Sequence, residues 1–274
     1  MNNKLPISVV LIASNEEKNI ARCLKSVYTW VEEIIVVVND CIDRTVEIAE
    51  SYGATVLEHP WKSFRDQKNF AKQLATKEWV LSIDADEVIS KELRSSILMF
   101  VVNNDKRYNG ASFKRLVFFM GKWIHHGDWY PDHCRRLFRK NCGYWSGGLV
   151  HEYLKVTGDV KLLDGNMLHY TYASVKEHVK VMIKYTDLFV EDNRSEPINI
   201  WEAAFRAIWK IFRCYIIKLG FLDGFQGIYI ALAQGFFTLY KHIHLIEYQQ
   251  AQIRQRTANQ LLKQGQEQNQ ITTP

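Results

Sequence analysis

The chain has 274 residues, 47% of them hydrophobic, and a formal charge of +5. That length accommodates one large α/β domain with an appendage, or two small domains. The mildly basic balance lacks the concentrated charge of a dedicated nucleic-acid binder and suits an anionic substrate or an anionic membrane surface. The five cysteines show no C-x-x-C spacing, which argues against a zinc site and for reduced thiols. No signal-peptide pattern precedes the first apolar run, so a cytoplasmic chain is expected.

Residues 7–12 form a continuous apolar run of strand length. Ser14-Asn15-Glu16-Glu17 follows, a capping-box pattern, and the helix after it places Ile20, Leu24 and Val27 on one face. Residues 34–38 predict a second strand and 45–52 a short helix, with Gly53 where a C-cap glycine belongs. A third strand is expected at 55–57, a helix at 64–75, a fourth strand at 79–83 and a helix at 90–102. Such alternation predicts a mostly parallel sheet with helices on both faces, and ligands outside the carboxyl ends of its strands. From about Gly110 to Tyr172 aromatics, glycines and histidines crowd together around short β-like runs. From Ser174 the pattern is helical. Residues 201–219 carry Arg206, Lys210 and Arg213 on one stripe shared with Glu202. Residues 221–240 are apolar and aromatic, but Asp223, Gln226 and Gln234, with Gly220, Gly224, Gly227 and Gly235, argue against a membrane span. The glutamine-rich tail from Gln249 is expected to be frayed. The expected organisation is 1–172 catalytic (nucleotide half to about 105, acceptor half from 106), 173–248 amphipathic helical, and 249–274 tail.

The segment Trp79–Glu87 concentrates the chemistry. An apolar strand runs into Asp84 and Asp86, and alternate residues of an extended chain point the same way. Two crowded carboxylates call for a cation, and a hard divalent ion that also meets a substrate phosphate is the simplest one. The solvated strand end is the competing reading. Ser14 and Glu16 can cap a helix or meet a base or ribose; acids there disfavour a pyrophosphate, and no G-x-G-x-x-G is present. Asp40 can accept an imide N–H or a ribose hydroxyl, while Asp43 suits capping. Arg65 and Lys68 are candidates for diphosphate contact or a solvated helix face. The loop His125–His133 suits satisfied histidines better than zinc. Glu152 can take a proton from an acceptor hydroxyl or form a structural salt bridge, and Asp132 is the alternative base. His169 can ligate metal or touch phosphate.

The strings Val9–Glu16, Gln67–Ala71, Val80–Glu87, Gly127–Asp132, Arg136–Arg139, Val150–Glu152, Leu168–Tyr170 and Gly220–Gly224, in this order, resemble the family-2 glycosyltransferases with the GT-A nucleotide-diphospho-sugar fold. The pattern is closest to the branch that includes lipopolysaccharide-core β-1,4-glucosyltransferases. The resemblance implies a UDP-sugar donor such as UDP-glucose, Mg²⁺ or Mn²⁺, and a lipid-linked anionic glycan acceptor. It implies a metal on Asp86, with Asp84 near the ribose or metal shell and His169 assisting, Asp40 at the uracil, and Glu152 as catalytic base. The usual Asp-x-Gly-Ser-x-Asp loop is altered: Asn39–Asp43 lacks its glycine. The basic stripe and the aromatic run suit peripheral contact at the cytoplasmic face of the inner membrane. Sugar-nucleotide pyrophosphorylases and haloacid-dehalogenase phosphatases fit less well. The first want a basic glycine-rich first turn, and the second a Thr where Val88 stands. A polyprenyl-phosphate sugar transferase and a non-catalytic membrane adaptor are the remaining alternatives.

Overall fold

Residues 5–13 and 31–38 are nearly unbroken apolar runs, and a strand of that kind buries both of its faces. In the computed structural model, which describes residues 4–148, 152–194 and 198–271 with side chains through residue 260, they form β1 (Leu5–Ala13) and β2 (Val31–Val38). Between them lies α1 (Ile20–Lys25). Then come α2 (Thr45–Ser51), β3 (Thr55–Glu58), α3 (Phe64–Leu74), β4 (Trp79–Ser82), β5 (Glu87–Ile89) and α4 (Lys91–Asn103). The second half of this region adds β6 (Tyr108–Phe119), β7 (Lys122–Ile124), β8 (Asp132–Arg139), β9 (Gly143–Gly147), β10 (Glu152–Val156) and β11 (Asp159–His169).

The large sheet runs β3-β2-β1-β4-β8-β6-β11-β5, with β7 added beside β6. The first four strands are parallel, as expected. Beyond β4 the sheet is mixed: β8 is antiparallel to both neighbours, β6 and β11 are parallel, and β5 is antiparallel to β11. β9 and β10 form a separate two-stranded ribbon. Alternate side chains feed two cores. Ile7, Val9 and Leu11 of β1 pack with Ile20 and Leu24 of α1 and Leu93 and Ile97 of α4. Val10, Ile35 and Val37 pack on the other face with Ala71 of α3, Trp145 of β9 and Leu154 of β10.

One local expectation fails. Ser14–Glu17 is not a capping box, because α1 begins at Ile20 with Asn19 before it. The turn is used elsewhere: Glu16 N–H donates to Thr45 Oγ1 (2.7 Å), Glu17 N–H to Asp43 Oδ2 (3.1 Å), and Ile42 N–H to Asn15 Oδ1 (2.9 Å). Gly53 does end α2, at φ +76°.

The chain divides into two units, residues 1–125 with 129–173, and residues 126–128 with 174–274. The second unit holds α5 (Val175–Asp192), α6 (Ile200–Phe212) and α7 (Phe225–Ile271), both α5 and α6 packing on α7. A π-helical turn at Arg213–Ile217 and a 3₁₀ turn at Gly220–Asp223 join α6 to α7. Gly227 is dictated by proximity: a Cβ there would stand 1.8 Å from the Gly220 carbonyl oxygen. The basic stripe on α6 forms, but its charges are taken within this unit. Lys210, Arg213 and Lys218 converge on Asp128 at 2.9, 3.1 and 3.1 Å, and Arg206 pairs with Glu202. Among the described residues no helix is long and apolar enough to cross a membrane.

Candidate active site

β4 lies between parallel β1 and antiparallel β8, and the chain leaves it through a turn rather than an extended segment. Glu87 N–H donates to the Asp84 carbonyl (3.0 Å), and Asp84 N–H donates back to Glu87 Oε2 (2.9 Å). The two aspartates therefore do not share a face by strand alternation, as the sequence predicts; this turn distributes them to different partners. Asp84 Oδ1 accepts Lys68 Nζ at 3.0 Å, and its Oδ2 accepts Arg136 Nη2 at 2.5 Å. Asp86 Oδ2 lies 3.1 Å from His169 Nε2. The β5–β11 register explains that second pair: Glu87 stands opposite His169, which brings the end of β11 against residue 86.

Glu152 reaches the same place from the ribbon. Ser63 caps α3 by accepting Asp66 N–H, and α3 then presents Arg65, Lys68 and Asn69 on one side. Asn69 exchanges two 2.9 Å hydrogen bonds with the Trp145 backbone, and Arg65 donates to the Gly147 carbonyl (2.9 Å). These contacts dock β9 on α3. Glu152, opposite Gly147 in the ribbon, is thereby carried to Lys68, whose Nζ donates to its Oε1 at 3.0 Å. Trp145 lies beneath both cations, 4.5 Å from Lys68 Nζ and 5.5 Å from the Arg136 guanidinium.

The ion pairs continue inward. Arg136 Nη2 donates to Glu87 Oε1 (2.7 Å), Arg115 lies 3.5 Å from the same atom, and Arg115 grips Asp132 through Nε (2.8 Å) and Nη2 (2.6 Å). The result is an alternating chain, Glu152–Lys68–Asp84–Arg136–Glu87–Arg115–Asp132, with the two candidate bases at its ends. Glu87 is 0% exposed, so its charge depends on these arginines. Burial alone would raise the Asp84 pKa; Arg136 and then Lys68 outweigh it and hold the carboxyl far below its ordinary 3.8. Burial is likewise the largest influence on Glu16, and there it prevails. The Asn19 hydrogen bond opposes the rise, and the charges of Asp86, Asp43 and Asp84 reinforce it.

Burial, more than the charge of Asp86, sets that rise at Glu16, so the case for a cation rests on the donor atoms that Asp86 and His169 bring together. Asp86 and His169 offer a carboxylate and an imidazole that would hold Mg²⁺ or Mn²⁺ where a phosphorylated ligand supplied the remaining oxygens. Thr171 Oγ1 is 2.6 Å from His169 Nδ1. When Nδ1–H is donated to that hydroxyl, Nε2 carries the lone pair a metal requires. Both oxygens of Asp84 already face cations, so of the two aspartates Asp86 has the carboxylate that would be open to a metal. Among the described residues no group of three or more His, Cys, Asp or Glu side chains could hold a metal by itself.

The Glycosyl transferase family 2 profile matches residues 8–151, more than half of the chain. The chain belongs to this family. An uncharacterized glycosyltransferase of Rickettsia prowazekii, RP128, is 30% identical over 239 residues, covering 81% of this chain and 80% of its own length. LpsC of Rhizobium meliloti, a lipopolysaccharide core biosynthesis glycosyltransferase, is 28% identical over 197 residues, covering 68% and 70%. Among solved structures, S. aureus TarS 1–349 in complex with UDP aligns at a TM-score of 0.45 and 17% identity, covering 94% of this chain and 91% of that one. At that score the likeness carries no argument about the site. Family 2 membership agrees with the GT-A fold expected from the strings.

In this family 2 glycosyltransferase the expected residues fall into groups. Lys68, Asp84 and Glu152 are joined directly, as are Asp86 and His169. Asn15, Asp40 and Asp84 each lie two residues beyond a parallel strand. Ser14 and Asp40 are exposed, and Asp40 accepts Asn39 Nδ2 at 2.9 Å. Asn15 and Asp40 both have positive φ, 57° and 47°, a strain that non-glycine residues tolerate mainly at turns and ligand sites. Arg65 anchors the ribbon through one of its nitrogens. Asp132 is already bound by the Arg115 fork. His151 lies outside the described residues. The sequence reading assigned no role to Arg136, Glu87 or Arg115. A signal was present for Arg136: a charged side chain buried beside Leu137 and Phe138 must have a partner.

Proposed function

We propose that this glycosyltransferase moves a hexose, with glucose the first candidate, from a UDP-sugar to a lipid-linked anionic glycan of the lipopolysaccharide inner core, inverting the anomeric carbon. The observation that carries it is Glu152, held by Lys68 beside Asp84 at the carboxyl end of the parallel strands. The relative LpsC supports the acceptor class.

Glu152 takes the proton of the acceptor hydroxyl. The freed oxygen bonds to the anomeric carbon as the bond from that carbon to the diphosphate breaks, and UDP departs. Lys68 keeps the Glu152 carboxylate oriented and faces the diphosphate with its remaining N–H. Asp40 reads the uracil at the end of β2, with Ser14 and Glu16 at the neighbouring strand end. Asp86 and His169 would hold Mg²⁺ or Mn²⁺, which when bound would supply positive charge to the leaving diphosphate. Glu152 serves as base in preference to Asp132 because it shares Lys68 with Asp84 at the carboxyl end of the parallel strands, whereas Asp132 stands at the far end of the ion-pair chain. A lipid-linked acceptor places the work at the cytoplasmic face of the inner membrane.

Glu152→Gln is expected to lower kcat by about 10²–10⁴-fold. Thermal stabilisation by UDP-glucose with Mn²⁺ should persist in that variant, since a ligand of the folded state raises its stability. Near-native turnover would move the base role to Asp132 or elsewhere.

A further inference from the structure

The helical unit is packed with its small residues inward. On α6, Ala203 and Ala207 are buried, and α7 comes so near that a Cβ on Gly235 would stand 2.3 Å from the Ile211 side chain. On the opposite side of α6, Trp201, Phe205, Ile208 and Phe212 recur at helical spacing and are 82%, 68%, 67% and 47% exposed. α7 repeats the pattern: Ala231 is buried, while Phe225, Leu232 and Phe236 are 66%, 55% and 59% exposed. Helices that meet water are patterned the other way. Small residues between helices and large apolar residues outside is the arrangement of helices that face lipid. Monomers in water leave contiguous apolar patches of only about 300–600 Å², so stripes of large, exposed apolar side chains call for a cover.

Charge decides what covers this face. Neither stripe contains an ionisable residue. Beside them Lys210, Arg213 and Lys218 surround the single carboxylate of Asp128, three cations against one anion, a surplus of two. Aromatic and aliphatic side chains flanked by excess cations match the acyl–headgroup boundary of an anionic bilayer. The described helices are not apolar enough to span it.

We propose that the exposed stripes of α6 and α7 insert into the interface of an anionic lipid bilayer, with the Asp128 cluster supporting contact with the headgroups. Insertion carries the attachment and charge assists it. This deepens the lipid-linked acceptor reading, and its test reads vesicle binding without glycosyl transfer, so the two fail separately. The full chain is floated with vesicles of phosphatidylglycerol and phosphatidylethanolamine at roughly 0.1 M and roughly 1 M salt, where screening lengths differ about threefold. Binding is expected at both. The variant Trp201→Ser/Phe205→Ser should lose about tenfold or more in vesicle partition, with unchanged circular dichroism, melting temperature and UDP-sugar hydrolysis. Leu232→Ser/Phe236→Ser should reproduce the loss from the other helix. Native-like partition in both variants overturns the proposal, as does binding abolished by high salt. A chain that is dimeric in buffer, and that the same variants make monomeric, assigns the face to a second copy and also overturns it.

Discussion

Lys68 Nζ lies 3.0 Å from Glu152 Oε1, and the lysine is fixed on α3 while the glutamate enters from the separate ribbon. The position of the proposed base thus depends on a helix that carries none of the candidate catalytic acids. Lys68→Met frees Glu152 and removes one of the two cations on Asp84. A misplacement of about 1 Å can cost about 10²-fold, so kcat should fall by about that factor with the fold retained. Steady-state kinetics with Lys68→Arg as the conservative control check this. Unchanged kcat in the methionine variant would reduce the pair to a contact that holds the fold alone.

Arg136 matters for stability as well as for chemistry. It is 5% exposed and neutralises the fully buried Glu87. Removing one partner of a buried pair costs about 3–5 kcal/mol. Arg136→Met should lose that much in urea unfolding, and adding Glu87→Gln should restore part of it. A loss below about 1 kcal/mol, the scale of an exposed pair, would contradict the assignment.

The metal reading is open to a test on a residue that touches neither donor nor acceptor. Thr171 Oγ1 sits on His169 Nδ1. Such outer partners are worth about 10–100-fold in metal affinity. Thr171→Val should weaken Mn²⁺ binding by that factor in calorimetry with UDP present. Asp86→Asn should abolish the Mn²⁺ dependence of UDP binding. Metal-dependent UDP affinity surviving in Asp86→Asn would remove the metal from this position.

Asp128 gives the helical unit an acid-sensitive tie. Burial would raise its pKa, but Lys210, then Lys218 and Arg213, outweigh burial and hold it below 3.8. A folded pKa below the unfolded value contributes stability that is full above 3.8 and is lost as pH falls through the folded value. Asp128→Asn should therefore be less stable than native at neutral pH, by about 1–3 kcal/mol given the part-exposed cations. The gap should narrow steadily under acid. Equal stability at pH 7 in chemical unfolding would show the cluster to be idle.

Gly227→Ala tests the junction before α7. The new methyl meets the Gly220 carbonyl oxygen, a backbone atom that cannot rotate aside. Overpacking of this kind costs about 1–3 kcal/mol. A melting temperature lower by several degrees is expected, and an unshifted one would show that the junction yields freely.

The parallel strands were legible in the sequence because continuous apolar runs act locally, and α3 falls within a residue of its expected span. The ends of β1 to β4 fall within a few residues of expectation. What was not legible depends on register between distant segments. The Asp86–His169 contact follows from the β5–β11 pairing, and Arg136 reaches Asp84 from a strand antiparallel to β4. Ser14–Glu17 misled because its pattern suits a helix start, whereas its N–H groups are spent on the loop after β2. The stripe on α6 was visible, but Asp128, which binds two of its cations, lies far away in the chain.

That link between the first two strand-end loops limits how the enzyme can diversify. Asn15 holds the Ile42 amide and Thr45 holds the Glu16 amide, so neither loop can be reshaped alone. With Asp40 proposed at the uracil, a switch of nucleotide preference in this lineage should appear as compensated substitutions spread over both segments, and a transplant of one loop from a relative should fail where a transplant of the pair succeeds.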